Sequence, residues 1–315
     1  MTIVNHAKKE HVRAVVLFAF SCLFIMVLPV LSLGVAKSKE GVHVEKVPTV
    51  IAPPPSIFNK AAFADVVIQG NAFVVYDLVN HEVIAAKNET ATLPLASLTK
   101  VMVAVSSMLH HSEKDTIVIL PKSIEDGYDL GLSKNQSWSL AELLKYTLIF
   151  SSNDGAEAIA DNFGGKETFI AQMNTDARSL GLNFTFTDPA GRDLNGKIGG
   201  SGNAVDAAKL FGIARERIPQ ILDATTKKRQ TLIASNGRIS GIPNTNQEIE
   251  NLPGALGSKT GYTDLAGGNL GIIVDITIGR PIAIIVLGST RQGRFKDVSV
   301  LYKALQKSLE TVPVK

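Results

Sequence analysis

One cysteine occurs in 315 residues, Cys22, and it lies inside an apolar stretch. No disulfide can close within the chain, and a cysteine nucleophile or cysteine–zinc centre is excluded. Histidine is scarce where chemistry would need it. All six histidines fall at or before His111, so the last two thirds cannot supply the imidazole of a Ser–His–Asp triad or a histidine-rich metal site. A turn position accounts for His81 and a helix end for His110 and His111. No metal and no organic cofactor is expected. A net charge of +3, without a long basic run or basic–aromatic interleaving, argues against nucleic acid as a partner. What remains is an ordinary globular balance, 45% hydrophobic and 19% charged residues, in a chain long enough for one large domain or two smaller ones.

Charge is also missing from residues 14–36, AVVLFAFSCLFIMVLPVLSLGVA, which follow Lys8, Lys9, His11 and Arg13. A signal-peptide core runs about 7–15 apolar residues, whereas about 20 span a bilayer. An uncleaved signal-anchor is therefore expected, with cleavage after Gly34-Val35-Ala36 as the alternative. The basic lead is expected to place residues 1–13 in the cytoplasm and the remainder outside it. Residues 37–60, with the Pro-rich VPTVIAPPPSIF, form an extended spacer. Residues 61–315 are expected to form the globular part, a single catalytic domain held by its N-terminus.

Within that part, AFVVYDL and EVIAAK read as a hairpin across Val79-Asn80-His81. A helix follows, carrying Ser97 and ending near His110, and then a short strand, TIVIL. Ser139-Leu140-Ala141-Glu142 is a capping box opening a helix through Leu140, Leu143, Leu144 and Leu148. Another helix starts after Ser151-Ser152-Asn153-Asp154 and ends at Gly164-Gly165. KETFIAQMNTDARSLGL and NAVDAAKLFGIARER are two more. The final third turns to strands: QTLIAS and RISGI around Asn236-Gly237, then AGGNLGIIVDITI and PIAIIVLGS, with a closing helix from Phe295 to Leu309. Strands, a helical middle, hairpin-linked strands and a helix predict an α+β fold, an antiparallel sheet covered by terminal helices with an all-helical insertion.

Three short stretches carry chemistry. LASLTKVMVA places Ser97 and Lys100 three apart, neighbours on one helix face. IFSSNDGAEAIA places Ser151 and Asn153 at a helix junction, where either serine would serve as an ordinary cap. GSKTGYTDLAGG places Lys259, Thr260 and Gly261 just before strand-like sequence, where a turn or strand edge is the plain reading. Acyl transfer at a peptide needs an activated hydroxyl, a proton acceptor, an oxyanion site and a grip on the substrate. Ser97 at a helix start would be the nucleophile. Lys100 can act as its base if burial and a second cation, Lys259, lower its pKa.

In this order the three stretches resemble the signature of the penicillin-interacting serine enzymes. Together with FIAQMNTDARSLGLNFTFTDPAGRD they resemble D-alanyl-D-alanine carboxypeptidases over about residues 65–290. The resemblance implies an α/β/α sandwich like that of serine β-lactamases. It implies Ser97 as nucleophile, Lys100 as general base, Ser151 as proton relay and Asn153 as orienter. It implies that the backbone N–H groups of Ser97 and Tyr262 form the oxyanion hole, that Lys259 and Thr260 clamp the substrate's terminal carboxylate, and that Gly261 belongs with them to the substrate-binding stretch. The expected partners are a peptidoglycan stem peptide ending in D-Ala-D-Ala, β-lactam antibiotics, and the membrane through residues 14–36.

Two stretches depart from the family pattern. Ser152 stands where the second motif commonly has glycine, and Asp188-Pro189-Ala190-Gly191-Arg192 replaces the usual Asn-Pro-His-Gly-Leu. Asp188, Asp193 and Asp206 read as turn and cap residues. A DD-endopeptidase would use the same site. A β-lactamase would need a mid-chain glutamate, and the DPAGRDLNGK loop offers Asp193 but no glutamate. A non-catalytic wall-binding domain would have no chemical reason to keep all three motifs.

Overall fold

The computed structural model describes residues 57–124 and 132–310, which fall within a single unit of the chain. The expected cytoplasmic tail, membrane segment and all but the end of the spacer lie outside the described residues. Among those described, no helix is long and apolar enough to cross a membrane.

The chain opens with a 3₁₀ turn, Lys60–Phe63, and the strands β1 (Ala72–Asp77), β2 (Glu82–Lys87) and β3 (Leu93–Pro94). A helical stretch follows: α1 (Thr99–His110), then the short pair β4 (Thr116–Val118) and β5 (Ser137–Ser139), then α2 (Leu140–Ile149), α3 (Asn153–Asn162) and α4 (Lys166–Ser179). After β6 (Thr185–Phe186) and β7 (Gly200–Gly202) come α5 (Ala204–Arg217) and α6 (Pro219–Asp223). The hairpin β8 (Arg229–Ala234) and β9 (Gly237–Pro243) precedes β10 (Ala255–Thr263), β11 (Gly267–Asp275), β12 (Pro281–Ser289) and α7 (Gly293–Glu310).

The main sheet has the order β10-β11-β12-β1-β2, antiparallel at every pairing. Side chains alternate across it, as a strand's two-residue period requires. Phe73, Val75, Ile272, Ile284 and Val286 pack against Val298, Leu301 and Leu305 of α7. Ala72, Val74, Tyr76, Ile273 and Ile285 face the helical side. Both faces are thus covered, as the α+β reading predicts. At the start of the chain the described partner of α7 is one 3₁₀ turn, capped by Asn59, and not a full helix.

The hairpin at Asn236-Gly237 forms with Ala234 opposite Gly237, but it stays out of the main sheet and pairs only with itself. It lies against α2, where Glu142 accepts a hydrogen bond from the Ile233 N–H. That use of Glu142 alters the expected capping box. Ser139 Oγ does accept from Glu142 N, while the Glu142 carboxylate turns to Ile233 and Lys145.

Helix α1 is the axis of the helical layer. Every residue from Thr99 to Ser107 is buried, the polar Thr99, Lys100, Ser106 and Ser107 included, so the helix is held by neighbours on all sides. Its start, and the side chains presented there, can shift only if the core moves.

Candidate active site

Ser97 sits in a 3₁₀ turn, Ala96–Leu98, that runs straight into α1. The tighter turn still brings positions three apart together, and Lys100 Nζ lies 2.8 Å from Ser97 Oγ. Lys100 is wholly buried. Its amine also lies 2.8 Å from Asn153 Oδ1 and 2.7 Å from the carbonyl oxygen of Ala190. Asn153 is the first residue of α3, so two helix starts converge on one nitrogen.

The adjacent serines of the second motif divide two duties. Ser152 caps α3, accepting from Gly155 N at 2.7 Å. A Cβ on Gly155 would come within 2.4 Å of Thr147 Oγ1 and 2.9 Å of the capping hydroxyl, so a residue without one is needed there. Ser151 faces the cleft and holds a left-handed backbone, φ 65°. Ala96, one residue before Ser97, does the same at φ 48°. Such conformations cost non-glycine residues on the order of 1–3 kcal/mol and concentrate at functional sites.

Lys259 enters from β10, the edge strand of the sheet. Its amine donates to Ser151 Oγ and to the Thr260 carbonyl, each at 2.7 Å. Burial, then the positive charges of Lys100 and Arg294, push its pKa well below the ordinary lysine value. Thr260 Oγ1 bonds Thr245 Oγ1 at 2.7 Å. Gly261 is the point of closest approach between β10 and the Ser97 turn. A Cβ there would lie 3.0 Å from the Leu95 carbonyl oxygen and 3.1 Å from Ser97 N. β10 therefore runs past the Ser97 amide, and Tyr262 follows at the mouth, 40% exposed.

Ser97, Ser151, Asn153 and Tyr262 line a cleft of about 380 Å³ with Gly191, Arg192, Asp193, Thr263 and Asp264, while the Lys100 and Lys259 amines reach it through their bonds to Ser97 and Ser151. Asp193 bridges it, accepting from Leu265 N at 3.0 Å. A larger concavity, about 720 Å³ near Asn174 and Arg178, contains none of the motif residues. Among the described residues, no group of histidine, cysteine and acidic side chains could hold a metal ion.

Two contributors escape a reading by motif. Arg294 of α7 is buried and donates to the Gly261 carbonyl at 2.5 Å. Burial, then the nearby Arg291, lowers its pKa to about 10. Its hydrogen bond holds the Gly261–Tyr262 peptide, whose N–H is the expected oxyanion donor. Asp188, expected as a turn residue, is fully buried beneath the cleft wall. Asp206 keeps its expected role, closing the Asn203 cap of α5.

A serine whose hydroxyl touches a buried amine, beside a strand edge and a second buried amine, defines a serine hydrolase working by acyl transfer. The comparisons give the class its family. The sequence profile of Peptidase_S11, D-alanyl-D-alanine carboxypeptidase, matches residues 59–290, and the chain belongs to this family. It is 30% identical over 196 residues to the D-alanyl-D-alanine carboxypeptidase DacB2 of Mycobacterium tuberculosis, covering 62% of this chain and 66% of that relative, just under two thirds. It is 29% identical over 245 residues to the D-alanyl-D-alanine endopeptidase of Escherichia coli, covering 75% of this chain and 76% of the relative. The structure of penicillin-binding protein D2 from Listeria monocytogenes in its cefotaxime-bound form matches with a TM-score of 0.66 at 27% identity, over 76% of this chain and 98% of that one.

Proposed function

We propose that this protein removes the terminal D-alanine from peptidoglycan stem peptides through an acyl-enzyme on Ser97. The observation that carries the reading is the 2.8 Å contact of Ser97 Oγ with the buried Lys100 amine. A neutral amine there donates to Asn153 Oδ1 and the Ala190 carbonyl and turns its lone pair to the Ser97 hydroxyl. Oγ attacks the carbonyl of the penultimate D-alanine while its proton passes to Lys100 Nζ. The negative charge that develops on oxygen meets the N–H groups of Ser97 and Tyr262, each such donor being worth roughly 3–4 kcal/mol of barrier. The C–N bond breaks as the departing amine takes a proton through Ser151, leaving an ester on Ser97. Water then cleaves the ester, freeing the shortened peptide's carboxylate and restoring the hydroxyl.

Lys259 and Thr260 favour cutting at a chain end over cutting inside a cross-link, because a buried cation with no carboxylate partner among the described residues suits a free terminal carboxylate. β-Lactams would acylate the same serine. Residues 14–36 would tether the domain to a bacterial membrane on its outer side. The test is intact mass of the protein with benzylpenicillin beside Ser97→Ala, followed by release of D-alanine from a linear D-Ala-D-Ala peptide and from a cross-linked dimer. A one-to-one adduct on the wild type alone, with release from the linear peptide, supports the reading. Cleavage confined to the dimer would make the protein an endopeptidase, and antibiotic hydrolysis without an adduct a β-lactamase.

A further inference from the structure

The Ala190 carbonyl on the Lys100 amine belongs to a loop with its own foundation. Asp188, two residues earlier, uses one carboxylate oxygen to hold the loop backbone: Oδ1 accepts from Ala190 N and Arg192 N, each at 3.0 Å. Its other oxygen, Oδ2, takes the Lys166 amine at 2.7 Å and the Arg192 guanidinium at 2.9 Å. Glu157 of α3 completes the group, pairing with both Lys166 and Arg192. Two anions and two cations thus form a neutral cluster under the cleft wall, its Asp188 side chain only 1% exposed. The loop is pressed onto the nucleophile's turn as well. Gly191 has φ 73°, and a Cβ there would fall 2.1 Å from the Ala96 carbonyl oxygen.

We infer that Asp188 is a positioning residue for acyl transfer, setting the 188–192 turn so that the Ala190 carbonyl stands on the Lys100 amine. The inference rests on Lys100 serving Ser97 as base. The Arg192 guanidinium reaches both oxygens, its Nε lying 3.3 Å from Oδ1, but the other contacts divide: Oδ1 holds the loop backbone and Oδ2 the Lys166 amine. Oδ1 fixes the carbonyl and so the direction of the Lys100 lone pair. Oδ2 ties the loop to α4 and, through Glu157, to α3. Removing the Oδ1 contacts touches none of Ser97, Lys259, Thr260 and Tyr262 directly, yet frees one of the acceptors that orient the base. Misplacement by about 1 Å can slow a reaction about 100-fold. Loss of the Oδ2 contacts alone should loosen the fold without redirecting the amine.

The test is rapid-mixing kinetics of benzylpenicillin with the full chain, separating reversible binding from the first-order acylation step, together with thermal unfolding. Lys166→Met is expected to lower Tm and leave the acylation constant unchanged. Asp188→Ala is expected to lower that constant about 10- to 100-fold with the reversible dissociation constant little changed. Asp188→Asn retains an oxygen for the Ala190 and Arg192 N–H groups while losing the charge. It should therefore recover most of the acylation rate and still show the low Tm of Lys166→Met. If Asp188→Ala does not fold, Gly191→Ala replaces it, since its Cβ moves the same loop off Ala96, and a tenfold or greater drop is expected by the same reasoning. A wild-type acylation constant in Asp188→Ala or Gly191→Ala would overturn the inference, as would an Asp188→Asn variant as slow as the alanine. Absence of any adduct on the wild type would instead overturn the proposed activity.

Discussion

Lys259 donates to Ser151 Oγ over 2.7 Å, and among the described residues it has no carboxylate partner. A buried amine in that position lacks a counter-charge, and burial accordingly lowers its pKa, with Lys100 and Arg294 adding to the effect. An incoming carboxylate supplies the missing charge and raises the pKa again. Binding of a D-alanine-terminated peptide to the Ser97→Ala protein should therefore take up a proton. Calorimetry in two buffers of different ionisation enthalpy would measure it. Identical heats in both buffers would rule this out.

The same lysine should weaken the folded state. Its folded pKa lies below the ordinary value of 10.5, so the unfolded chain binds more protons and stability rises with pH across that interval. Lys259→Met is expected to raise Tm by a few degrees at neutral pH, as relief of functional strain commonly does. The advantage should shrink as pH climbs toward 10.5. Urea unfolding of both proteins between pH 6 and 10, about the accessible part of the window, would show whether the two curves converge.

Gly261→Ala tests the fit between β10 and the Ser97 turn. Its Cβ would press on the Leu95 carbonyl, Ser97 N and the Ala96 side chain at 3.0–3.2 Å. The strand edge must then move away from the Ser97 turn, opening the pair of N–H groups, of Ser97 and Tyr262, proposed to face the oxyanion. Loss of one such donor lowers turnover about 100- to 1000-fold. We expect a fall of that order in acylation, with Tm lowered much less than a core truncation would lower it.

Asp188 should also leave a mark on acid stability. Burial opposes its ionisation, but hydrogen bonds from Arg192 and Lys166 outweigh it and hold the pKa down to about 2 from 3.8. A carboxylate with a depressed folded pKa stabilises above its unfolded value and loses that contribution as pH falls through the folded one. The contribution, about 2 kcal/mol, should be present above pH 4 and drain away between about 3.8 and 2. Asp188→Asn should flatten the stability profile in that window. Chemical denaturation at several acid pH values would detect it, and an unchanged slope would contradict the assignment.

What a sequence discloses about such a site depends on how far apart its parts lie. Ser97 and Lys100 are one turn apart, and Asn153 shares a helix start with Ser151 and Ser152, so local geometry made them readable. The two serines illustrate the limit. Cap and cleft residue were both plausible for each, and the close packing of Gly155 on Thr147 and Ser152, visible only in the fold, settles which is which. Arg294 lies 33 residues beyond the carbonyl it binds, in a helix whose sequence reads as ordinary amphipathic surface. Asp188 looks like a turn aspartate because it is one. Its load comes from Lys166 and Glu157, brought by two helices that precede it. The β8–β9 hairpin was legible as a hairpin, while its place outside the main sheet was set by packing against α2.

The position of β10 at the border of the sheet has a consequence for the protein's solubility. A strand with an unpaired row of N–H and C=O groups invites pairing with another chain and so aggregation. Under the proposed function that edge must stay reachable, because Lys259, Thr260 and the Tyr262 N–H lie on it. The Ser97 turn packs against it at Gly261 and the Asp193–Leu265 bridge crosses its far end. Both contacts shorten the stretch of edge open to a neighbouring strand. The groove can thus stay adhesive toward its ligand without making the molecule adhesive toward itself.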